Sequence, residues 1–507
     1  MENNTAEIVP ERKKTSVFRE VYPIHEPYVY AAVVTEPKSQ RIKYELIEPT
    51  LLKEEEKQLK EIKDILVEEI DVNLKEIGTR EKAEEYLKKK ISEIIKDYRL
   101  KIEEEAVDKL MYFIIRDFLG YGKIDPLMKD PLIEDISADG VQIPIYVWHR
   151  DYESLPTNII FKDSEELNSF IVRLAYMARK NISLATPILD SSLPDGSRIQ
   201  LTYGKEITRR GSTFTIRRFR ADPLTITDLI SLGTLSPEMA AYFWYAIENR
   251  ASILVAGGVA SGKTTILNCF SMFIKPGLKL VSVEDTAELN LPHENWIPSV
   301  ARTGFGDAGD KVGAITLFDL LKAAVRQRPD YLLVGEVRGE EAYTLFQAMA
   351  TGHLGMGTIH GESASSVIHR LGSEPMNIPK PLLTMIDAIA VQLRTEVNGK
   401  PARRTRAVTE ILGLDPKTKE LITNEVYRWD ARSDTFEFSG HSHILEEKMQ
   451  RKGLNENEVQ KELHKRRTVL DWMVKKGIRK YPDVVSVIRD YYADPNRVFR
   501  KARLEQS

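Results

Sequence analysis

Hydrophobic positions in the first quarter of the chain recur at helical spacing. Leu59, Ile62 and Leu66 would share one face of a helix. A second apolar stripe follows, formed by Ile95, Leu110, Phe113, Ile114 and Phe118. The pattern predicts that residues 1–130 form a mainly helical amino-terminal region. Charges of both signs alternate along these helices, which favours a solvated helical bundle over a membrane-surface or partner-binding helix.

The hydrophobic period shortens to two between residues 135 and 219. Short apolar runs broken by Gly and Pro surround one helical stretch near residues 165–179, which predicts a small mixed α/β domain at residues 131–222. Residues 223–238 then mix Thr, Ser, Gly and Pro between periodic stretches. We interpret this segment as a linker.

Beyond residue 239, short apolar runs alternate with helical segments. The runs predicted as strands are residues 252–256, 279–284, 331–334, 356–359 and 388–393. This alternation predicts an α/β domain at residues 239–440, with a mainly parallel sheet covered by helices. Residues 441–507 are rich in Lys, Arg and Glu and are predicted to form a helical cap.

Composition excludes several classes of protein. A chain of 507 residues is too long for one hydrophobic core, and 42% hydrophobic with 29% charged residues is typical of a globular chain. The formal net charge of -3 does not favour a polyanion binder, so no nucleic-acid partner is expected. Cys269 is the single cysteine in the sequence, which fits a reducing compartment. No apolar run reaches the roughly 18 residues of a membrane-spanning helix, so a cytoplasmic chain is expected.

One segment fits a phosphate-binding loop of the form G-x-x-x-x-G-K-[ST]. An apolar strand pattern precedes this segment and a helix pattern follows it, so backbone N–H groups at a helix N-terminus would face bound phosphates. Lys263 can bridge the β- and γ-phosphates of ATP, and the hydroxyl of Thr264 can ligate Mg²⁺. The candidate nucleotide-binding residues are Gly257, Gly258, Val259, Ala260, Ser261, Gly262, Lys263, Thr264 and Thr265.

Two glutamates follow predicted strands whose carboxyl ends should lie beside this loop. Glu284 ends the run 279–284, and we assign it to polarising the attacking water. Glu336 follows the run 331–334, and we assign it to holding Mg²⁺ through water and supporting the nucleophile. The alternative is that both are ordinary solvated charges at strand ends.

His360 and a set of arginines complete the candidate site. His360 ends a predicted strand, where it could contact the γ-phosphate or act only as a hydrogen-bonded structural histidine. Arg198, Arg210 and Arg217 belong to the densest basic set outside the predicted domain at residues 239–440. They could serve as arginine fingers, or form a solvated sheet face or a nucleic-acid contact.

The motifs resemble those of a known enzyme family. Four of them, in order, are similar to the Walker A, Asp box, Walker B and His box of type II/type IV secretion ATPases: GGVASGKTT, VSVEDTAEL, RQRPDYLLVGEVRGEEA and ATGHLGMGTIH. Three upstream stretches are similar to the archaeal branch of that family, which includes the archaellum motor and archaeal pilus-assembly ATPases: GYGKIDPLMKDPLIEDISADG, PILDSSLPDGSRI and GSTFTIRRF. The four-cysteine zinc module of some bacterial members has no counterpart here, since Cys269 stands alone.

The resemblance implies a RecA-like P-loop ATPase domain and an α/β, PAS-like amino-terminal domain preceded by helices. It implies a cytoplasmic homo-hexamer, peripherally associated with the membrane, that drives a polytopic platform protein of a pilus, archaellum or secretion system. Carried over by motif, Glu284 becomes the catalytic glutamate, Glu336 the Walker B acid and His360 the His box residue. Arg198, Arg210 and Arg217 become candidate contributors from the amino-terminal domain.

Two other functions stay open at this stage. The same core could belong to a nucleic-acid translocase or helicase, whose turnover would respond to nucleic acid and fall steeply with salt. It could also belong to a nucleotide-sensing scaffold that binds ATP without hydrolysing it.

Overall fold

The computed structural model describes residues 17–37, 39–70, 79–219, 222–302 and 313–506. The chain divides into two compact units, Met1–Phe219 and Arg220–Ser507. Each unit is built around a nine-stranded sheet.

The sheet of the amino-terminal unit has the strand order β1-β2-β3-β6-β5-β4-β9-β8-β7. Its strands are β1 Val17–His25, β2 Val29–Thr35, β3 Ile42–Ile47, β4 Ile133–Ala138, β5 Pro144–His149, β6 Glu153–Ile160, β7 Ile188–Ser192, β8 Arg198–Thr202 and β9 Thr213–Arg217. The prediction of a mainly helical region at residues 1–130 is therefore wrong for β1 to β3. These three strands join the sheet through β6, where Tyr44 pairs with Thr157.

Helices form much of residues 53–129, within the region that the sequence predicted to be helical. They are α1 Lys53–Glu69, α2 Arg80–Asp97, α3 Glu104–Phe118 and α4 Asp125–Lys129, and the helix predicted near residues 165–179 is α5 Ser164–Met177. The stripe containing Leu59, Ile62 and Leu66 packs against α2 and α3 in one hydrophobic cluster. Burial of this shared stripe is what makes α1 to α3 a bundle.

The segment interpreted as a linker is instead structured. It contains α6 Ile226–Ser231 and the start of α7 Pro237–Glu248. Leu229 and Leu235 are buried in the core of the carboxy-terminal unit. Two of the Thr and Ser residues that indicated a linker, Thr225 and Ser236, are helix N-caps, and Ser236 accepts a hydrogen bond from the backbone N–H of Met239.

The sheet of the carboxy-terminal unit has the order β12-β11-β13-β14-β10-β15-β16-β17-β18. Its strands are β10 Ile253–Gly257, β11 Leu280–Glu284, β12 Trp296–Val300, β13 Tyr331–Val334, β14 Leu354–His360, β15 Ala388–Val397, β16 Lys400–Leu414, β17 Leu421–Asp430 and β18 Thr435–Phe438. The strands from β12 to β15 are parallel, and β15 to β18 are antiparallel. All five strands predicted for this region are confirmed.

The parallel strands are buried on both faces. Along β10, Ile253 and Val255 belong to one hydrophobic cluster and Leu254 and Ala256 to another, as the alternation of strand side chains requires. The first face is covered by α7 and by α8 Lys263–Ser271. The second is covered by α9 Leu317–Arg326, α10 Glu341–Ala350 and α11 Ala364–Gly372, near the short α12 Lys380–Leu383.

The carboxy-terminal segment is helical and packs on the same face of the sheet as α8. It forms α13 His443–Lys452, α14 Glu456–Lys475, α15 Tyr481–Ala493 and α16 Pro495–Gln506. Trp244 of α7 stacks on Phe273 and contacts Tyr491 of α15. Within the described residues, no helix is both long and apolar enough to cross a membrane.

Candidate functional site

The predicted phosphate-binding loop connects a buried strand to a helix. β10 ends at Gly257, and α8 begins at Lys263. Gly262 adopts a φ of 88°, a left-handed conformation that favours glycine. A Cβ on Gly257 would lie 2.6 Å from the carbonyl oxygen of Gln392, whereas a Cβ on Gly258 would meet nothing within 4 Å. The loop therefore needs glycine for its close packing and leaves open space beside Gly258.

Polar groups within the loop bind its backbone. The hydroxyl of Ser261 donates to the carbonyl of Gly258 over 2.9 Å, and Nζ of Lys263 donates to the same carbonyl over 2.7 Å. Val259 is 82% exposed at the tip of the loop, and Ala260 beside it is also exposed. The loop is therefore stabilised by hydrogen bonds within itself, and its tip is exposed to solvent.

The first turn of α8 offers groups that are suited to binding phosphate. Thr264 and Thr265 lie there and are partly exposed. Backbone N–H groups in a first turn have no partner within the helix, and the helix dipole favours anions at this end. These residues fit a nucleoside triphosphate with Mg²⁺, since a lysine, two hydroxyl groups and open space lie together where the loop meets α8.

His360 and Glu336 lie next to this loop. In the parallel register, His360 at the end of β14 stands opposite Gly257 at the end of β10. Nε2 of His360 lies 2.8 Å from Oε1 of Glu336, which follows β13. Both side chains are about one third exposed, so a bound ligand could reach them.

Glu284 ends β11, on the same side of the sheet as α8. Its Oε1 accepts hydrogen bonds from the backbone N–H groups of Glu288 and Leu289, each over 3.0 Å. Its Oε2 is buried and has no hydrogen-bond partner among the described residues. A Cβ on Gly335 would lie 3.1 Å from Cγ of Glu284, so the glycine before Glu336 leaves room for this side chain.

Burial changes the chemistry of Glu284. The side chain is 2% exposed, and its removal from water raises the pKa of the carboxyl to about 7, although the two backbone N–H donors oppose that rise. A carboxyl with this pKa can accept a proton from water near neutral pH. β11 is separated from β10 by two strands, so Glu284 lies about 14 Å along the sheet from the strand that leads into the loop.

The second acid of this strand end has a different role. Oδ2 of Asp285 lies 2.7 Å from Nη2 of Arg338 in an ion pair. Nearby, Oε1 of Glu341 accepts the backbone N–H groups of Arg338 and Gly339 over 2.7 Å each. These contacts fix the loop after β13, which leaves Glu284 as the acid with an unused oxygen.

Arg403 contacts the phosphate-binding loop, although no sequence motif marks it as a site residue. Its Nε donates to the carbonyl of Ala260 over 3.0 Å, and its Cδ would lie 3.3 Å from a Cβ on Gly262. Arg403 lies on β16 directly opposite Arg394 of β15, so the antiparallel hairpin brings two guanidinium groups to the same side of the sheet. No local motif marks this contact, because it depends on the pairing of β15 with β16.

The structure brings two of the three candidate arginines together. Arg198 of β8 and Arg217 of β9 lie directly opposite each other and are exposed. Asp135 of β4 pairs with Arg217 from the other side; burial raises the pKa of Asp135, and Arg217 opposes that rise. Arg210 lies in the connection between β8 and β9, where its carbonyl accepts the backbone N–H of Val141 over 3.2 Å. All three arginines belong to the amino-terminal unit.

Comparison with known proteins identifies the family of this chain. The profile of type II/IV secretion system proteins matches residues 122–430, and that of the PilB3-like carboxy-terminal region matches residues 432–506. An uncharacterized protein of Methanocaldococcus jannaschii is 36% identical over 496 residues, covering 93% of this chain and 88% of that protein. A Mycobacterium tuberculosis protein whose name assigns it to conjugal transfer is 31% identical over 267 residues, covering 50% of this chain and 73% of that protein.

Among solved structures, the pilus retraction motor PilT with bound ADP matches at a TM-score of 0.40 and 22% identity, covering 57% of this chain and 81% of that chain. The α/β fold class expected from the sequence is confirmed by the sheet of the carboxy-terminal unit, whose parallel strands are covered by helices on both faces. The profile match spans more than half of the chain and includes the loop, both glutamates and His360. This chain therefore belongs to the family of type II/IV secretion system proteins.

Proposed function

We propose that this chain hydrolyses ATP at the edge of the sheet where β10, β11, β13 and β14 end. The observation that supports this most strongly is the buried carboxylate of Glu284, whose Oε2 has no hydrogen-bond partner within the described part of the chain. A buried polar atom without a partner is unfavourable unless a ligand or water satisfies it. The attacking water of a hydrolysis reaction is such a partner.

The residues at this edge of the sheet have different proposed roles. Lys263 and the backbone of the first turn of α8 bind the phosphates, with Thr264 and Thr265 as neighbouring hydroxyl groups. Glu284 accepts the proton of the attacking water. His360 and Glu336 act as one unit beside the loop, through the close contact of their side chains. Bound Mg²⁺ would supply positive charge to the phosphates, and Thr264 and, through water, Glu336 are the residues that would hold it.

The more specific proposal is that the chain acts as a motor. The chain would work as a homo-hexamer, peripheral to the cytoplasmic membrane, on a polytopic platform protein of an archaeal pilus, archaellum or related secretion system. The archaeal relative along nearly the full chain and the PilB3-like match at residues 432–506 support this assignment. Arg198, Arg210 and Arg217 are proposed to contribute positive charge to the site in the assembled ring.

Lys263→Ala tests the placement of the nucleotide. Loss of this ammonium should weaken ATP binding by about 10- to 100-fold, because hydrogen bonds to charged groups contribute about 1.5–3 kcal/mol. Lys275→Ala is the matched control, since Lys275 follows α8 and lies 3.7 Å from Glu248 at the surface. Equal ATP affinity in the two variants, measured by calorimetry, would refute the assignment.

The motor role is tested by isolating the protein with its membrane partners from the native cell. Copurification of a polytopic membrane protein with the wild-type chain supports the proposal. Turnover that is stimulated by nucleic acid and falls steeply with salt, in the absence of such a partner, would favour a translocase instead.

A further inference from the structure

The orientation of Glu284 depends on the connection between β11 and β12, residues 285–295. Glu288 and Leu289 of this connection donate both backbone hydrogen bonds that Oε1 accepts. Leu289 and Leu291 are 3% and 6% exposed and belong to the same hydrophobic cluster as α8. A shift of this connection would therefore move the donors that aim the carboxylate.

Both backbone polar groups of Asn290, in this connection, are hydrogen-bonded to side chains from other elements. The backbone N–H of Asn290 donates to Oδ1 of Asn268 on α8 over 2.9 Å. The hydroxyl of Tyr481, at the start of α15, donates to the carbonyl of Asn290 over 2.5 Å. Asn290 directly follows Leu289, so these contacts join three parts of the site: the helix after the phosphate-binding loop, the segment that orients Glu284, and the carboxy-terminal helices.

We propose that Tyr481 is a positioning residue for Glu284, so that the carboxy-terminal helical segment sets the geometry of hydrolysis. The proposal rests on the function proposed above. The hydroxyl of Tyr481 donates to the carbonyl of Asn290, and the proposed effect on Glu284 acts through the backbone of that residue. Loss of the Tyr481 hydroxyl leaves the carbonyl of Asn290 without this donor, while the hydrogen bond from the N–H of Asn290 to Asn268 remains.

The expected effect is on turnover rather than on ATP binding. A displacement of about 1 Å in a catalytic group can lower a rate by up to about 10²-fold. For Tyr481→Phe, which keeps the ring, we expect kcat to fall by about 5- to 50-fold while the KM for ATP changes less than about twofold.

Tyr492→Phe provides a matched control. Tyr492 also lies in α15; its hydroxyl donates to the carbonyl of Phe273 and accepts from Nε1 of Trp244. Neither contact involves residues 285–295. A general loosening of the carboxy-terminal helices would affect this variant as well, whereas the proposed positioning role would not.

Two measurements test the proposal. Hydrogen exchange of the peptide spanning residues 285–292, in the nucleotide-free chain, should become faster in Tyr481→Phe and stay at the wild-type rate in Tyr492→Phe. Turnover of both variants is then compared with that of the wild type and of Glu284→Gln. Unchanged exchange in Tyr481→Phe, or equal losses of kcat in both tyrosine variants, would overturn the positioning role. A wild-type chain that fails to hydrolyse ATP would instead overturn the proposed function, and the exchange result would still test the attachment.

Discussion

Nε2 of His360 lies 2.8 Å from Oε1 of Glu336, and the backbone of His360 pairs with Gly257 at the start of the phosphate-binding loop. This side-chain contact joins the ends of β13 and β14. We therefore expect a change in the position of the loop to affect the histidine and, through it, the glutamate. We predict that the two side chains act as one unit during turnover.

If His360 and Glu336 act as one unit, the losses of kcat/KM in their variants should not be additive. His360→Ala and Glu336→Gln should each lower kcat/KM at least about tenfold, and the double variant should be little worse than the poorer single variant, because residues acting as a unit are not additive. His353→Ala is the control, since His353 contacts the carbonyl of Ala348 at the other end of β14. Steady-state kinetics checks this, and losses that simply multiply would show that the two residues act independently.

The buried carboxyl of Glu284 should make stability depend on pH. Its pKa is about 7 in the folded chain and near 4.5 when exposed, so the folded chain holds the proton over that interval and the unfolded chain releases it. The free energy of unfolding should therefore fall as pH rises from about 4.5 to about 7. Glu284→Gln removes the group whose ionisation lowers the free energy of unfolding. The variant should therefore be more stable than the nucleotide-free wild type at pH 8 by about 1–3 kcal/mol, with little difference at pH 5.

Thermal or chemical unfolding at both pH values measures that difference. Glu294→Gln is the control, because Glu294 is an exposed carboxyl of the same connection. A lower free energy of unfolding in Glu284→Gln at pH 8, or an equal increase in Glu294→Gln, would contradict the claim that the buried charge of Glu284 destabilises the folded chain.

Arg403 is predicted to support nucleotide binding from β16. Arg403→Ala removes positive charge and a contact to Ala260, so ATP affinity should fall by about 5- to 50-fold. Arg403→Lys keeps the charge without the planar group and should give an intermediate affinity. Arg432→Ala, at an exposed position in the turn between β17 and β18, should leave the affinity unchanged. Equal affinities in Arg403→Ala and Arg432→Ala would remove Arg403 from the site.

Local sequence signals were sufficient for the parallel strands and the phosphate-binding loop. Strand β13, predicted at residues 331–334, forms over Tyr331–Val334, because a short run buried on both faces must be continuously apolar. The same reasoning failed for β1, an edge strand whose residues are mostly exposed or half-buried. Thr225 was assigned to a linker although it opens α6 with a capping box to Asp228, so a helix-start signal was mistaken for a loop signal.

The contacts that complete the site depend on residues distant in sequence. Arg403 reaches Ala260 across 143 positions, and Tyr481 reaches Asn290 across 191. The burial of Glu284 likewise results from packing against Gly335 and the connection after β11. A motif could identify Glu284 as a candidate, but the free oxygen and the raised pKa follow only from the folded chain.

The central claim is that Glu284 activates water for ATP hydrolysis, and a paired measurement on Glu284→Gln tests it most directly. Turnover and ATP affinity are measured on the same preparation of the wild type and the variant. The account predicts that turnover falls at least about 100-fold, since general bases contribute about 10²- to 10⁴-fold, while the Kd for ATP changes less than about threefold. Wild-type turnover in the variant, or equal losses of turnover and affinity, would contradict it.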